Sequence, residues 1–192
     1  LALINEIGRY RKDIKFLVND ILSEIEPFKP YFIPINKHGL NSRENIIRLE
    51  ELFESDKCIV IFPSGLVSRK KNGIVKDLEW RKTFVTKAKK HNKPIYPVYI
   101  SGQNSNRFYK IAKWRSLIGI KINLEMFFLV DEMFKQKGNT IEITMGKLIE
   151  PKILDNRKND SEWAQAIKKY IYKIQNNINF EFIESIKNEK NY

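Results

Sequence analysis

Short apolar runs alternate along this chain with longer stretches in which apolar residues recur every three or four positions. The runs "IKFLVN", "YFIPIN", "KCIVIF" and "KPIYPVYISG" are rich in Ile, Val, Phe and Tyr and are flanked by polar or turn-forming residues, the pattern of short buried strands. The stretches between them read as helices. "LALINEIGRYRK" carries Leu3, Ile4 and Ile7 on one side, and a short helix is predicted near Asp20. "NSRENIIRLEELFE" has Asn41 or Ser42 as N-cap, with Ile46, Leu49 and Phe53 on one face. From Pro63 to Lys76 the pattern predicts a loop broken by Gly65 and Gly73. Asp77 then caps a helix whose apolar face is Trp80, Phe84 and Ala88.

In the second half, Gly102 ends the fourth strand, and "SNRFYKIAKWRSLIG" is a helix with Ile111, Trp114 and Ile118 turned inward. "INLEMFFLVDEMFKQKG" fits either helix or strand and is read as mostly helix, while "TIEITMGKLI" alternates as a late strand does. "SEWAQAIKKYIYKIQNNI" places Trp163, Ile167, Tyr170, Ile171 and Ile174 at helical spacing. Residues 180–192 are polar and predict a frayed tail. Strands alternating with helices over 192 residues predict an α/β fold: one domain, 1–192, with a central, mostly parallel sheet flanked by helices.

Charge sharpens this picture. Lys and Arg number 35 against 23 Asp and Glu, a net +12, and residues 67 to 93 hold ten basic residues against Asp77 and Glu79. Such a stretch suits phosphates, anionic lipid or an acidic protein, although a solvated lysine-rich surface has the same composition. Cys58 is the single cysteine, so no disulfide framework exists and a reducing compartment is expected. No apolar run approaches the roughly 20 residues of a membrane-spanning helix, and nothing in these residues resembles a signal peptide. The expectation is a cytoplasmic protein, peripheral at the inner face of the cell membrane. "RFYKIAKWRSLIGIK" mixes aromatics with cations and fits either an interfacial helix or one packed on the sheet.

The chemistry concentrates in "CIVIFPSGLVSRKK", where Pro63 stops a strand, Gly65 allows close backbone approach, and Arg69, Lys70 and Lys71 add charge. Loops at the carboxyl ends of strands hold ligands in α/β sheets, and turn amides with a guanidinium suit an anion. Ser64 is no nucleophile elbow, because Phe62 and Leu66 stand where that motif needs glycines. "SGLVSRKKNG" lacks the G-K-[ST] of a phosphate-binding loop. One Cys and the two distant histidines His38 and His91 support no metal site. Aromatics do not interleave with the lysines, so no specific nucleic-acid binding is predicted.

At these residues the chain resembles the glycerolipid (lysophospholipid) acyltransferase superfamily, in particular its bacterial hemolysin-like and glycerol acyltransferase branch. "VIFPSGLVSRK" is similar to that superfamily's third block, F-P-E-G-T-R-S, and "IYPVYISG" to its fourth, with Pro97 and Val98 as the Pro-Val pair. "YFIPINKHG" falls where the second block would, Lys37 standing nearest its basic residue. Ser64 replaces the block's Glu, Leu66 its Thr, and Arg69 arrives later than the family Arg. The resemblance implies a glycerol-3-phosphate acyltransferase-like fold and cofactor-free O-acyl transfer of the 1-acylglycerol-3-phosphate acyltransferase kind. The donor would be acyl-CoA or acyl-acyl-carrier-protein, and the acceptor a lysophospholipid or an acylated amino-acid lipid. It also implies acyl carrier protein and anionic membrane lipid as partners. Lys37, Pro63, Ser64, Gly65, Ser68 and Arg69 would then hold the acceptor's anionic head, and Pro97 and Val98 would wall the acyl chain.

The superfamily's first block is His-x4-Asp. Arg43 stands five residues after His38 and Tyr96 five after His91, so neither histidine fits. The pair is expected a few residues ahead of Leu1, in which case residues 1–192 are an N-terminally truncated piece, inactive alone. The alternative is a non-catalytic basic module that binds anionic lipid or nucleic-acid phosphates.

Overall fold

The computed structural model describes residues 2–18, 20–23, 25–35, 42–120 and 123–187. In chain order the elements are α1 (Ala2–Ile7), β1 (Lys15–Val18), α2 (Asp20–Ser23), β2 (Phe32–Pro34), α3 (Ser42–Glu54), β3 (Ile59–Ile61), β4 (Arg69–Lys71), β5 (Ile74–Lys76) and α4 (Thr83–Lys90). They continue as β6 (Val98–Ile100), α5 (Asn106–Leu117), α6 (Leu129–Lys135), β7 (Ile143–Met145), α7 (Asp160–Ile174) and α8 (Phe182–Lys187). Contacts divide the chain into two units. The first comprises Leu1–Gly65, Glu79–Tyr99 and Ile143–Tyr192, the second Leu66–Leu78 and Ile100–Glu142.

The first unit is built on a parallel three-stranded sheet in the order β2-β1-β3, so the expected α/β class with a parallel sheet is what the chain adopts. β1 is central and the most deeply buried of the three: Phe16, Leu17 and Val18 are all buried, while β2 and β3 are half-buried throughout. Leu17 packs with Leu52 and Phe53 of α3, the crossover helix between β2 and β3. Ile46, expected on that packed face, is exposed, and Leu52 takes its place. Asn41, one of the two N-cap candidates, lies outside the described residues, and Ser42 is the first residue of the helix.

The main core forms where α7 meets α4. Trp163, Ile167, Tyr170 and Ile174 are fully buried, as their spacing predicts, and pack with Phe84, Val85, Ile149 and Leu154. A capping box starts α7: Asn159 accepts from the Glu162 N–H, and Glu162 accepts from the Asn159 N–H. The Trp163 indole N–H donates to the Asp155 carbonyl at 2.8 Å, so its burial leaves no polar group unmet. α8 adds Phe182 and Ile186 to this core, with Phe182 6.1 Å from the Trp163 ring. Phe182–Lys187 is thus helical and anchored by two apolar side chains, within the stretch 180–192 where fraying was expected.

β6 pairs with β7 in a separate two-stranded sheet. Ile95 and Ile149 exchange both backbone bonds nearby, and Gly146 N–H donates to the Pro97 carbonyl at 2.8 Å. A Cβ at Gly146 would come within 3.0–3.1 Å of the Tyr170 hydroxyl, Ile174 Cδ1 and Pro97 Cγ, so glycine is what lets this strand end lie on α7.

In the second unit, the stretch expected to be a plain loop contains a hairpin. β4 and β5 are antiparallel, with Lys71 opposite Ile74 across Asn72 and Gly73. Both turn residues have positive φ, 51° and 80°, the two-residue turn that Asn-Gly favours. α4 consequently begins at Thr83 rather than at Asp77, whose carboxylate accepts the Ser68 hydroxyl at 2.6 Å instead. α5 also turns the other way from the expectation: Phe108, Tyr109 and Ala112 are buried, while Trp114 and Ile118 are exposed. Leu124–Phe128 is a 3-10 turn leading into α6, the helical reading of this ambiguous segment. No helix among the described residues is long and apolar enough to cross a membrane.

Candidate functional site

The turn Pro63-Ser64-Gly65 leaves the carboxyl end of β3, on the sheet edge where parallel strands present their loops. Gly65 N–H bonds back to the Phe62 carbonyl at 3.0 Å, which closes the turn. Gly65 has φ +66°, a left-handed conformation that favours glycine. Arg81 ties down the other side, its N–H donating to the Pro63 carbonyl at 3.0 Å. Its guanidinium lies beside Gly65, 3.6 Å from where a Cβ would stand.

Arg81 is the cation that the sequence did not single out. It lay in the basic run, but nothing in the spacing linked position 81 to position 65. Several other basic residues of that run have acidic partners. Arg69 pairs with Glu125, Lys87 and Lys90 with Glu50, Lys89 with Asp160, and Lys93 with Asp56. Among the described residues, the Arg81 side chain has no acidic partner, and it is exposed. A left-handed turn at a strand end beside an exposed guanidinium is an arrangement that can take a carboxylate or phosphate.

Ser68 and Arg69 belong to the second unit, and the structure gives both of them protein partners. Arg69 donates to the buried Glu125 carboxylate at 2.6 Å and to the Val67 carbonyl at 2.6 Å. Arg115 grips the same carboxylate through Nε at 2.8 Å and Nη2 at 3.2 Å, and also donates to the Ile120 carbonyl. Burial holds the Arg69 guanidinium below its ordinary value, with Glu125 pulling the opposite way. Glu125 was missed, yet a lone acid inside "INLEMFFLV" is a signal, since carboxylates are rarely buried without a paired cation.

Glu132 is a second buried carboxylate in this unit. Burial pushes its carboxyl up, but Lys135 and the Ser105 N–H and hydroxyl outweigh that and hold it below the ordinary value. Ser105 caps α5 by accepting from the Phe108 N–H, and its own hydroxyl donates to Glu132 at 2.8 Å. This joins the start of α5 to α6.

Pro97 is fully buried beside Gly146, Tyr170 and Ile174, so it belongs to the packed core, while Val98 is half-buried. Lys37, with His38, lies outside the described residues. The side chain of His91 is shielded from water, 2.9 Å from the Glu50 carboxylate and stacked on Phe53. Ligand atoms of Glu50, Glu54 and His91 lie within 4.8 Å of one another, but Lys87 and Lys90 both donate to Glu50, so a metal ion would have to displace two ammonium groups.

With these residues in place, the comparison with known proteins is direct. The chain belongs to an acyltransferase family, whose model matches residues 1–180. It is 39% identical over 175 residues to the lyso-glycine lipid O-acyltransferase of Bacteroides thetaiotaomicron, covering 91% of this chain and 64% of that protein. The enzyme of the same name from Phocaeicola vulgatus is 41% identical over 165 residues, 86% of this chain and 59% of that protein. The chain thus spans about three-fifths of the length of these curated relatives. No solved structure matches it.

Proposed function

We propose that the protein is a lipid O-acyltransferase that moves a fatty acyl chain from a thioester to the hydroxyl of a lysolipid with an anionic head. A glycine-based lysolipid stands first among acceptors, ahead of lysophosphatidate, because the two relatives carry that substrate in their names. A glycine attached to fat through its nitrogen keeps a carboxylate, and an arginine fork matches the two oxygens of that group. The donor is acyl-acyl-carrier-protein or acyl-CoA. An acidic carrier would suit a chain of net charge +12.

The chemistry is direct transfer. A His-x4-Asp pair takes the acceptor's hydroxyl proton. The oxygen attacks the thioester carbonyl, the C–O bond forms, the C–S bond breaks, and the thiol leaves with that proton. The residues of this chain bind and orient. Gly65 and its turn hold the head group, Ser64 takes the position of the family glutamate, and Val98 flanks the acyl chain over a core set by Pro97. Lys37, Ser68 and Arg69 remain acceptor-binding candidates by their place in the sequence. A lipid acceptor also places the protein at a membrane surface, as a peripheral protein of the inner face.

The observation that carries this reading is the left-handed Gly65 turn at the end of a parallel strand with the Arg81 guanidinium beside it. In the whole protein, Arg81→Ala is expected to raise the acceptor KM about tenfold or more, the worth of one charge-assisted hydrogen bond. Donor KM should stay near the parent value. An unchanged acceptor KM would remove Arg81 from the site.

A further inference from the structure

Apolar side chains and cations share the outside of the second unit. On α5 and its C-cap, Trp114, Leu117 and Ile118 are 67%, 72% and 64% exposed. Their spacing puts them on one helical side, while Phe108, Tyr109 and Ala112 occupy the buried side. Trp114 and Ile118 also share an open groove of about 500 Å³ with Leu124, which starts the following 3-10 turn, and with Arg107 and Lys110. Phe127, in that turn, is 65% exposed.

Charge says what fits there. The unit holds eleven Lys and Arg against five Asp and Glu, half of the chain's net +12. Two of those acids, Glu125 and Glu132, are buried and paired, so they do not answer the cations outside. Bulky aromatic and aliphatic groups beside exposed Lys110, Lys113 and Arg107 make a surface for the headgroup level of an anionic bilayer. There apolar groups pass below the phosphates while the cations stay on them.

We propose that α5 and the turn after it dock the protein on anionic membrane, with Trp114, Leu117 and Ile118 entering the acyl boundary and Arg107, Lys110 and Lys113 on lipid phosphates. This rests on the reading that the acceptor is a lipid, and it names the surface by which the protein reaches it.

Trp114 supplies the reporter, because Trp80 and Trp163 are buried. The whole protein is mixed with phosphatidylcholine vesicles that contain or lack phosphatidylglycerol, and flotation and tryptophan emission are read against Trp114→Phe. Anionic vesicles should shift the Trp114 emission to the blue, and lipids brominated on the acyl chain should quench it. Leu117→Glu with Ile118→Glu should lower vesicle affinity at least tenfold, while turnover of a detergent-dispersed lysolipid persists.

Unchanged flotation of the double variant, or Trp114 emission blind to bound vesicles, would overturn the docking. So would binding indifferent to phosphatidylglycerol. An emission shift that follows protein concentration without vesicles would give this surface to a second copy and overturn it too. Normal docking by a wild-type protein that never acylates the dispersed lysolipid would sink the acyltransferase reading and leave the docking standing.

Discussion

Glu125 holds two arginines that have little other reason to be buried together. Arg69 and Arg115 are mostly shielded from water, and the carboxylate between them is entirely so. Removing a central charge of this kind leaves like charges facing each other without compensation. Glu125→Gln should therefore destabilise the protein by about 3 kcal/mol, read as a lower urea midpoint at unchanged slope. A loss under 1 kcal/mol would place the triad among exposed, weakly coupled pairs. At this scale the sequence was legible at the turn. Pro63, Ser64 and Gly65 stand where a strand-end anion loop was expected, and the positive φ of Gly65 supplies the physical reason for that glycine. It was not legible at Arg81 or Glu125, because each acquires its role from a residue far along the chain, Gly65 for one and Arg69 for the other.

Among elements, α3 and α4 are clamped by one carboxylate. Glu50 accepts from Lys87 and Lys90, and the ring of Phe53 stacks on His91 at 6.0 Å. The Lys87 and Lys90 hydrogen bonds hold the Glu50 carboxyl at about 2, well below its ordinary 4.5. Because the folded value is depressed, the stabilisation is complete above about pH 4.5 and is lost as pH falls through about 2. The stability gap between wild type and Glu50→Gln should therefore shrink steadily as pH falls below about 4.5. Urea midpoints across this range read it, and a gap unchanged down to pH 2 would contradict the clamp.

Element identity was largely readable from periodicity, above all in α7, whose five marked residues are all buried. Element faces were less so. α5 carries apolar residues along two stripes, and periodicity alone does not choose between Phe108 with Ala112 and Trp114 with Ile118. The β4–β5 hairpin was within reach of the sequence: Asn72-Gly73 between two short runs is a strong turn signal, obscured here by the lysines around it.

For the whole molecule, net charge is a poor guide to free charge. Much of the basic run serves as internal struts, so the surface open to an anion is narrower than +12 suggests, and it includes Arg81 in one unit and the outside of α5 in the other. The family, by contrast, was legible from three short blocks at strand ends, where function concentrates, even with Ser64 and Leu66 in place of the third block's Glu and Thr. Acyl transfer to an anionic lysolipid is the activity proposed for the whole protein. It is tested most directly by incubating the whole protein with a lyso-glycine lipid and an acyl-acyl-carrier-protein or acyl-CoA, and weighing the products. A product heavier than the acceptor by one fatty acid less one water is expected, with free thiol released in equal amount. Thiol release without a heavier lipid, or neither product with any anionic lysolipid, would contradict it.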